Sequence, residues 1–191
     1  MRAAVVMSGG GVPGIAWHAG GLSGLLGRVE FASFDGVSAG ALAAAIAGQD
    51  PVTKVPHLRE LAERMKTSEG HRWKTGKEIA RAVLGGFLDP APLDALGDDR
   101  RLGERIRQEV QGRTYTVPSY VGVTDFDTGE YFSVRHDTSS EWWKLVWASA
   151  TIGPPLWPPV HVVHAGRKRR MTDGGYRNVA PLGDVISRVT F

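Results

Sequence analysis

The stretch Phe34-Asp35-Gly36-Val37-Ser38-Ala39-Gly40-Ala41-Leu42 decides how this chain is read. It is a G-x-S-x-G element. Val29–Phe34 before it reads as a strand, and Ala41–Ala47 after it reads as an alanine-rich helix. A serine on so sharp a strand-to-helix turn needs small neighbours. Gly36 and Gly40 let the backbone pass while the hydroxyl points outward. The N-terminus of the following helix offers unpaired N–H groups and the positive end of its dipole, which suits developing negative charge. These features make Ser38 a candidate nucleophile. A motif this short also arises by chance in a chain with 25 glycines, so the remaining chemistry must be found elsewhere.

Toward the N-terminus, Arg2–Met7 is apolar almost throughout and reads as a buried strand. Gly9-Gly10-Gly11-Val12-Pro13-Gly14 follows, then a helical stretch, Ile15–Leu26. Backbone N–H groups in such a loop converge on an anion. Two uses compete. Gly9-x-Gly11-x-x-Gly14 fits a dinucleotide-binding fingerprint, with Asp35, or less well Glu30, as the acid that holds a ribose hydroxyl. The same N–H groups could instead form an oxyanion hole. A dinucleotide module has no need of a G-x-S-x-G at the end of its second strand, whereas an acyl hydrolase needs both elements.

Toward the C-terminus, Asp50-Pro51 breaks the chain, and Val55–Lys66 reads as a helix with Leu58, Leu61, Ala62 and Met65 on one face. Thr67–Gly76 reads as loop, Lys77–Leu84 as a short helix, Asp89–Pro92 as a turn and Leu102–Val110 as an amphipathic helix. This middle third carries no evident chemistry and reads as helical cover, with His57 and His71 at the surface. Tyr115–Thr124 and Tyr131–Val134 form a hairpin around the turn Asp125–Glu130. Asp125 and Asp127 read as turn carboxylates, because no third or fourth metal ligand is evident. Glu141–Ala150 is a short helix whose Trp142, Trp143 and Trp147 read as packing residues. Ile152–Val160 is an irregular Gly/Pro loop. Val160–Val163 and Arg169–Thr172 flank Gly166 as a second hairpin, which delivers Asp173-Gly174-Gly175 at a strand end.

A serine nucleophile needs a base. No histidine follows residue 164, and His161 and His164 are nominal candidates. The alternative is a carboxylate that takes the proton directly. Asp173 is its best candidate, because two glycines after it let the backbone turn close to the serine.

Composition bounds the rest. The chain has 191 residues and 42% hydrophobic content, which fits one domain spanning 1–191. Without cysteine it has no disulfide framework and no thiolate zinc site. The net charge is +3, and the basic run Arg167-Lys168-Arg169-Arg170 reads as a solvated hairpin turn. Nothing resembles a nucleic-acid recognition element. Ala41–Ala47 is too short to span a bilayer, and Ala3–Met7 is too short for the apolar core of a signal peptide. The expected location is cytoplasmic, with transient contact at a membrane surface through the tryptophans and the basic turn.

Taken together, Gly9-Gly10-Gly11-Val12-Pro13-Gly14, Gly36-Val37-Ser38-Ala39-Gly40 and Asp173-Gly174-Gly175, in that order, resemble the patatin-like phospholipase family. Two weaker echoes are Val123–Glu130, and Ala148-Ser149-Ala150-Thr151-Ile152 leading into Leu156–Val160. The resemblance implies a three-layer α/β/α fold with a mostly parallel central sheet. It implies a serine–aspartate dyad of Ser38 and Asp173, an oxyanion hole from the N–H groups of Gly9, Gly10 and Gly11, and no metal or other cofactor. Its substrates would be acyl esters of phospholipids or lysophospholipids. The chain departs from the family's pattern in three places. Pro13 stands where the family usually carries Arg or Lys, and the Ile152–Trp157 loop is one residue longer. After Asp173 the family normally has a helix and a strand, and here only Pro181–Phe191 remains for them. A catalytically silent or partner-activated relative would keep the same motifs.

Overall fold

The computed structural model describes residues 1–67, 72–73, 97–154 and 156–188. The N-terminal half is a strand–helix alternation: β1 (Arg2–Met7), α1 (Gly11–Leu25), β2 (Glu30–Val37), α2 (Ala39–Ala47) and α3 (Pro51–Thr67). A two-stranded ribbon, β3 (Arg72–Trp73) with β4 (Gly97–Asp98), precedes α4 (Arg100–Val110). Then come β5 (Ser119–Asp125), β6 (Tyr131–Arg135), α5 (Trp142–Ser149), β7 (Val160–His164), β8 (Arg167–Asp173), a 3₁₀ turn (Gly174–Tyr176) and α6 (Leu182–Arg188). The expected helix Lys77–Leu84, the turn Asp89–Pro92 and His71 lie outside the described residues; of the expected loop Thr67–Gly76, Thr67 ends α3 and Arg72–Trp73 forms β3, and the rest lies outside them.

The main sheet runs β1-β2-β5-β8-β7, with β6 also paired to β5. β1, β2 and β5 are parallel; β6 and β8 run antiparallel to β5, and β7 antiparallel to β8. Four of the six strands (β1, β2, β5 and β7) therefore point the same way, so the sheet is mostly parallel in direction.

One detail of register positions everything that follows. β6 covers Tyr120–Thr124 of β5 on one edge. β2 covers Ser119–Gly122 and β8 covers Val123–Asp125, so both lie on the opposite edge, end to end. Their C-termini face each other, with Val37 beside Gly122 and Asp173 beside Val123.

Side chains alternate between the faces of a strand. A Cβ on Gly36 would meet the α2 backbone, so Gly36 faces α2. Asp35, the preceding residue, faces the other side and binds Arg188 of α6 there. Helices thus flank the sheet on both faces, which makes the fold three-layer α/β/α. Every residue of α2 is buried, and its alanines and glycine let it sit close to the strands. α4 buries Leu102, Ile106 and Val110, spaced four apart, and turns Arg100, Arg101, Glu104 and Arg105 away from the core.

Several local expectations need correction. β2 continues three residues past Phe34, and α2 starts two residues before Ala41. Asp125 ends β5 and is buried, because Arg169 comes within 2.8 Å of its carboxylate. Arg170 pairs with Asp127. The basic run is therefore half consumed by ion pairs with the β5–β6 turn, leaving Arg167 and Lys168 as its exposed pair. His57 is half-buried, and its Nε2 lies 2.9 Å from Glu109 Oε2.

Candidate active site

Ser38 alone makes the turn between β2 and α2, with φ 59° and ψ −126°. For a non-glycine residue this conformation costs about 1–3 kcal/mol and persists only where the surroundings impose it. The surroundings are tight. A Cβ on Gly36 would lie 2.0 Å from the Gly40 carbonyl oxygen, and one on Gly40 would lie 2.1 Å from that of Met7. The Ser38 N–H donates to Ser149 Oγ at 2.9 Å, and the Ser38 carbonyl accepts from Ala41 N–H at 3.0 Å to start the helix.

The glycine loop sits directly over this elbow. A Cβ on Gly9 would come within 3.2 Å of Ser38 Cβ and 3.6 Å of its Oγ. Gly10 (φ 156°) and Gly11 (φ 59°) hold backbone angles that side chains rarely adopt. α1 begins at Gly11, not at Ile15, so the loop is also the helix N-terminus. Its first bond of this kind runs from Gly14 N–H to the Gly10 carbonyl at 3.0 Å. The Gly11 and Val12 N–H groups come before it and have no acceptor within the helix. Pro13 falls in this first turn, where a missing N–H costs nothing. Gly14 packs on the elbow, since a Cβ there would lie 3.3 Å from Ala39 Cβ.

Neither acid of the dinucleotide reading reaches this loop. Asp35 faces the opposite side of the sheet, where Arg188 and the Ser33 hydroxyl (2.6 Å) occupy its carboxylate. Glu30 is at the far end of β2, beside Arg2.

Asp173 closes β8 across from Ser38. Its N–H donates to the Thr151 carbonyl at 3.1 Å, and its Oδ1 accepts the Gly175 N–H at 2.8 Å. Gly174 has no room for a side chain, because a Cβ would lie 2.5 Å from the Gly122 carbonyl oxygen. The Asp173 residue is 7% exposed. Burial pushes its carboxyl above the usual carboxylate range, opposed by the hydrogen bond from the Gly175 N–H and by the nearby Ser38 hydroxyl. His161 and His164 lie on β7, with β8 between them and β5. Among the described residues, the group beside the serine is a carboxylate and not an imidazole.

Ser38 and Asp173 open into a cavity of about 380 Å³ lined by Gly9, Gly10, Val37, Gly175, Ile152, Tyr176 and Val179. The last three also form an apolar rim, 48%, 55% and 64% exposed. Among the described residues no cluster of His, Asp or Glu could hold a metal ion. None of their helices is long and apolar enough to cross a membrane.

The model of the patatin-like phospholipase family matches residues 5–186. The chain belongs to the patatin-like phospholipase family. No individual curated protein matches it. The family is one of lipid acyl hydrolases, whose substrates are lipid esters. The glycine loop, Ser38 and Asp173, the last two 135 residues apart in sequence, line one cavity in this chain. Sequence reasoning missed the supporting residues. Ser149 and Thr151 were visible only as part of the Ala148–Ile152 echo, with no signal that one touches Ser38 and the other Asp173.

Proposed function

We propose that this patatin-like protein hydrolyses carboxylic ester bonds of phospholipids or lysophospholipids through an acyl-enzyme on Ser38. The meeting of the Ser38 hydroxyl and the Asp173 carboxyl at the facing ends of β2 and β8 carries this reading. Ser38 Oγ attacks the ester carbonyl carbon and passes its proton to Asp173. The carbonyl oxygen becomes an oxyanion, stabilised by N–H groups of Gly9, Gly10 and Gly11 and by the N-terminal ends of α1 and α2. Collapse breaks the ester C–O bond, and the leaving alcohol takes the proton from Asp173. Water then attacks the acyl-enzyme, Asp173 accepts its proton, and a second tetrahedral intermediate forms. Its collapse releases the fatty acid and returns the proton to Ser38 Oγ.

Burial supports Asp173 in this role. A carboxylate with a raised pKa is a stronger base, and the proton it takes from Ser38 neutralises it as the oxyanion forms, so the site carries one negative charge throughout. The apolar rim supports a lipid substrate. Ile152, Tyr176 and Val179 are large, exposed and continuous with the catalytic cavity, which suits transient contact with a lipid surface from which the ester is drawn.

A fluorophosphonate probe tests the reading. Mass spectrometry should map the label to Ser38 in the wild type, with labelling and ester hydrolysis abolished in Ser38→Ala. An unchanged rate of ester cleavage in Ser38→Ala would sink the proposal.

A further inference from the structure

The backbone N–H of Ser38 is held by a single side chain. Ser149 Oγ accepts it at 2.9 Å, and the Ser149 hydroxyl in turn donates to the Gly122 carbonyl at 2.7 Å. A hydroxyl has one proton, so donating it to Gly122 leaves a lone pair for Ser38. Ser149 is completely buried. Gly122 is the residue of β5 beside Val37, one step from the residue beside Asp173. The hydroxyl therefore ties the elbow to the strand on which both strand ends meet.

The same segment also supports the carboxylate. The Thr151 carbonyl accepts the Asp173 N–H, and the Thr151 hydroxyl sits 2.6 Å from Asp99 Oδ2. The end of α5 thus touches the backbone of both Ser38 and Asp173.

We infer that Ser149 is a positioning residue for ester cleavage: its hydroxyl holds the strained Ser38 backbone in the conformation that aims Oγ at Asp173. The inference rests on the acyl-hydrolase reading above. It has a mechanistic corollary. The Ser38 N–H is committed to Ser149, so it is withheld from the oxyanion, which is left to the glycine loop and the N-terminal end of α2.

The test compares Ser149→Ala and Ser149→Cys with Ser119→Ala. Ser119 is equally buried, on the same strand as Gly122, and donates to the Ala44 carbonyl at 3.0 Å without touching the dyad. kcat and KM are measured with p-nitrophenyl butyrate, together with the fluorophosphonate labelling rate and Tm. Loss of the tether lets Ser38 relax, and a misplacement approaching 1 Å lowers kcat and the labelling rate by about 10- to 100-fold. KM should stay within about twofold, since no substrate contact is removed. Ser149→Cys keeps the shape but weakens the acceptor, so it should fall in the same direction by less. Ser119→Ala should lose comparable Tm and keep its kcat. The inference is overturned if both Ser149 variants keep kcat within twofold of the wild type, or if Ser119→Ala loses as much kcat for an equal loss of Tm. A wild type that neither labels at Ser38 nor cleaves the ester would overturn the acyl-hydrolase reading itself, and this inference with it.

Discussion

Replacing Gly36 by alanine adds one methyl group at the tightest point of the elbow. Its Cβ would lie 2.0 Å from the Gly40 carbonyl oxygen, 2.3 Å from the carbonyl carbon and 2.6 Å from the Ala41 nitrogen. Non-bonded contact needs about 3.5 Å, so the two backbones must part by more than about 1 Å. Neither side gives easily. All three atoms belong to the first turn of a fully buried helix, and behind Gly40 lie the carbonyls of Met7 and Ser8. The displacement must be taken up around Ser38, which links the two. Overpacking of this kind costs about 1–3 kcal/mol, and contact with backbone puts Gly36→Ala at the upper end. A 1 Å shift of the nucleophile costs about 100-fold in rate. Gly20→Ala is the internal reference. It adds the same methyl in α1 with nothing within 4 Å, and removing a mid-helix glycine should stabilise by about 0.5–1 kcal/mol. Calorimetry and kcat/KM on p-nitrophenyl butyrate read both effects. The reasoning fails if Gly36→Ala keeps its Tm within about 1 °C of wild type and more than half of its activity, because a clash that size cannot be absorbed silently.

Asp173 makes activity and stability pull in opposite directions with pH. Its folded pKa is raised, so the stability linked to its proton is fully present below the unfolded carboxylate range and is lost as pH rises through the folded pKa. Asp173→Asn should therefore be more stable than wild type above that range while losing about 10²–10⁴ in kcat/KM; chemical denaturation at two pH values and a pH–rate profile check both, and the acid limb of the wild type should lie above the usual carboxylate pKa. Arg188→Ala should cost about 3 kcal/mol, because it strands the Asp35 carboxylate, 1% exposed, without its partner. Asp35→Asn should cost less, since Arg188 is 30% exposed and can turn to water; equal losses in urea unfolding would contradict the asymmetry. Val179→Asp should weaken co-sedimentation with phospholipid vesicles, and unchanged vesicle binding would remove the rim from the lipid contact.

The motifs were legible because each is a local demand. Gly36, Gly40 and the loop glycines are required by close backbone approaches within one turn, and such demands leave the same residues in any chain that meets them. Strand and helix identity was legible where burial is one-sided. In α4, Leu102, Ile106 and Val110 mark the face directly. Boundaries were less so. α2 is buried on every side and has no periodicity to mark its start, and the last three residues of β2 include Asp35 and Gly36, which read as turn rather than strand.

Charge was the other blind spot. Asp125 and Asp127 read only as turn carboxylates, the basic run as a solvated turn, and Asp35 as a candidate ribose-binding acid. Their partners come from strands or helices distant in sequence: Arg169 with Asp125, Arg170 with Asp127, Arg188 with Asp35. Complementary charges on separate elements leave no trace in spacing.

By itself, then, the sequence determined the family, the strand–helix alternation and the candidate residues for ester chemistry, because these follow from local sterics and residue type. Only the tertiary structure decided that Asp173 meets Ser38, that Asp35 turns away from the glycine loop, and that Ser149 holds the elbow. Those depend on β2 and β8 sharing one edge of β5, a long-range pairing set by the whole sheet's register and not by any stretch of chain alone.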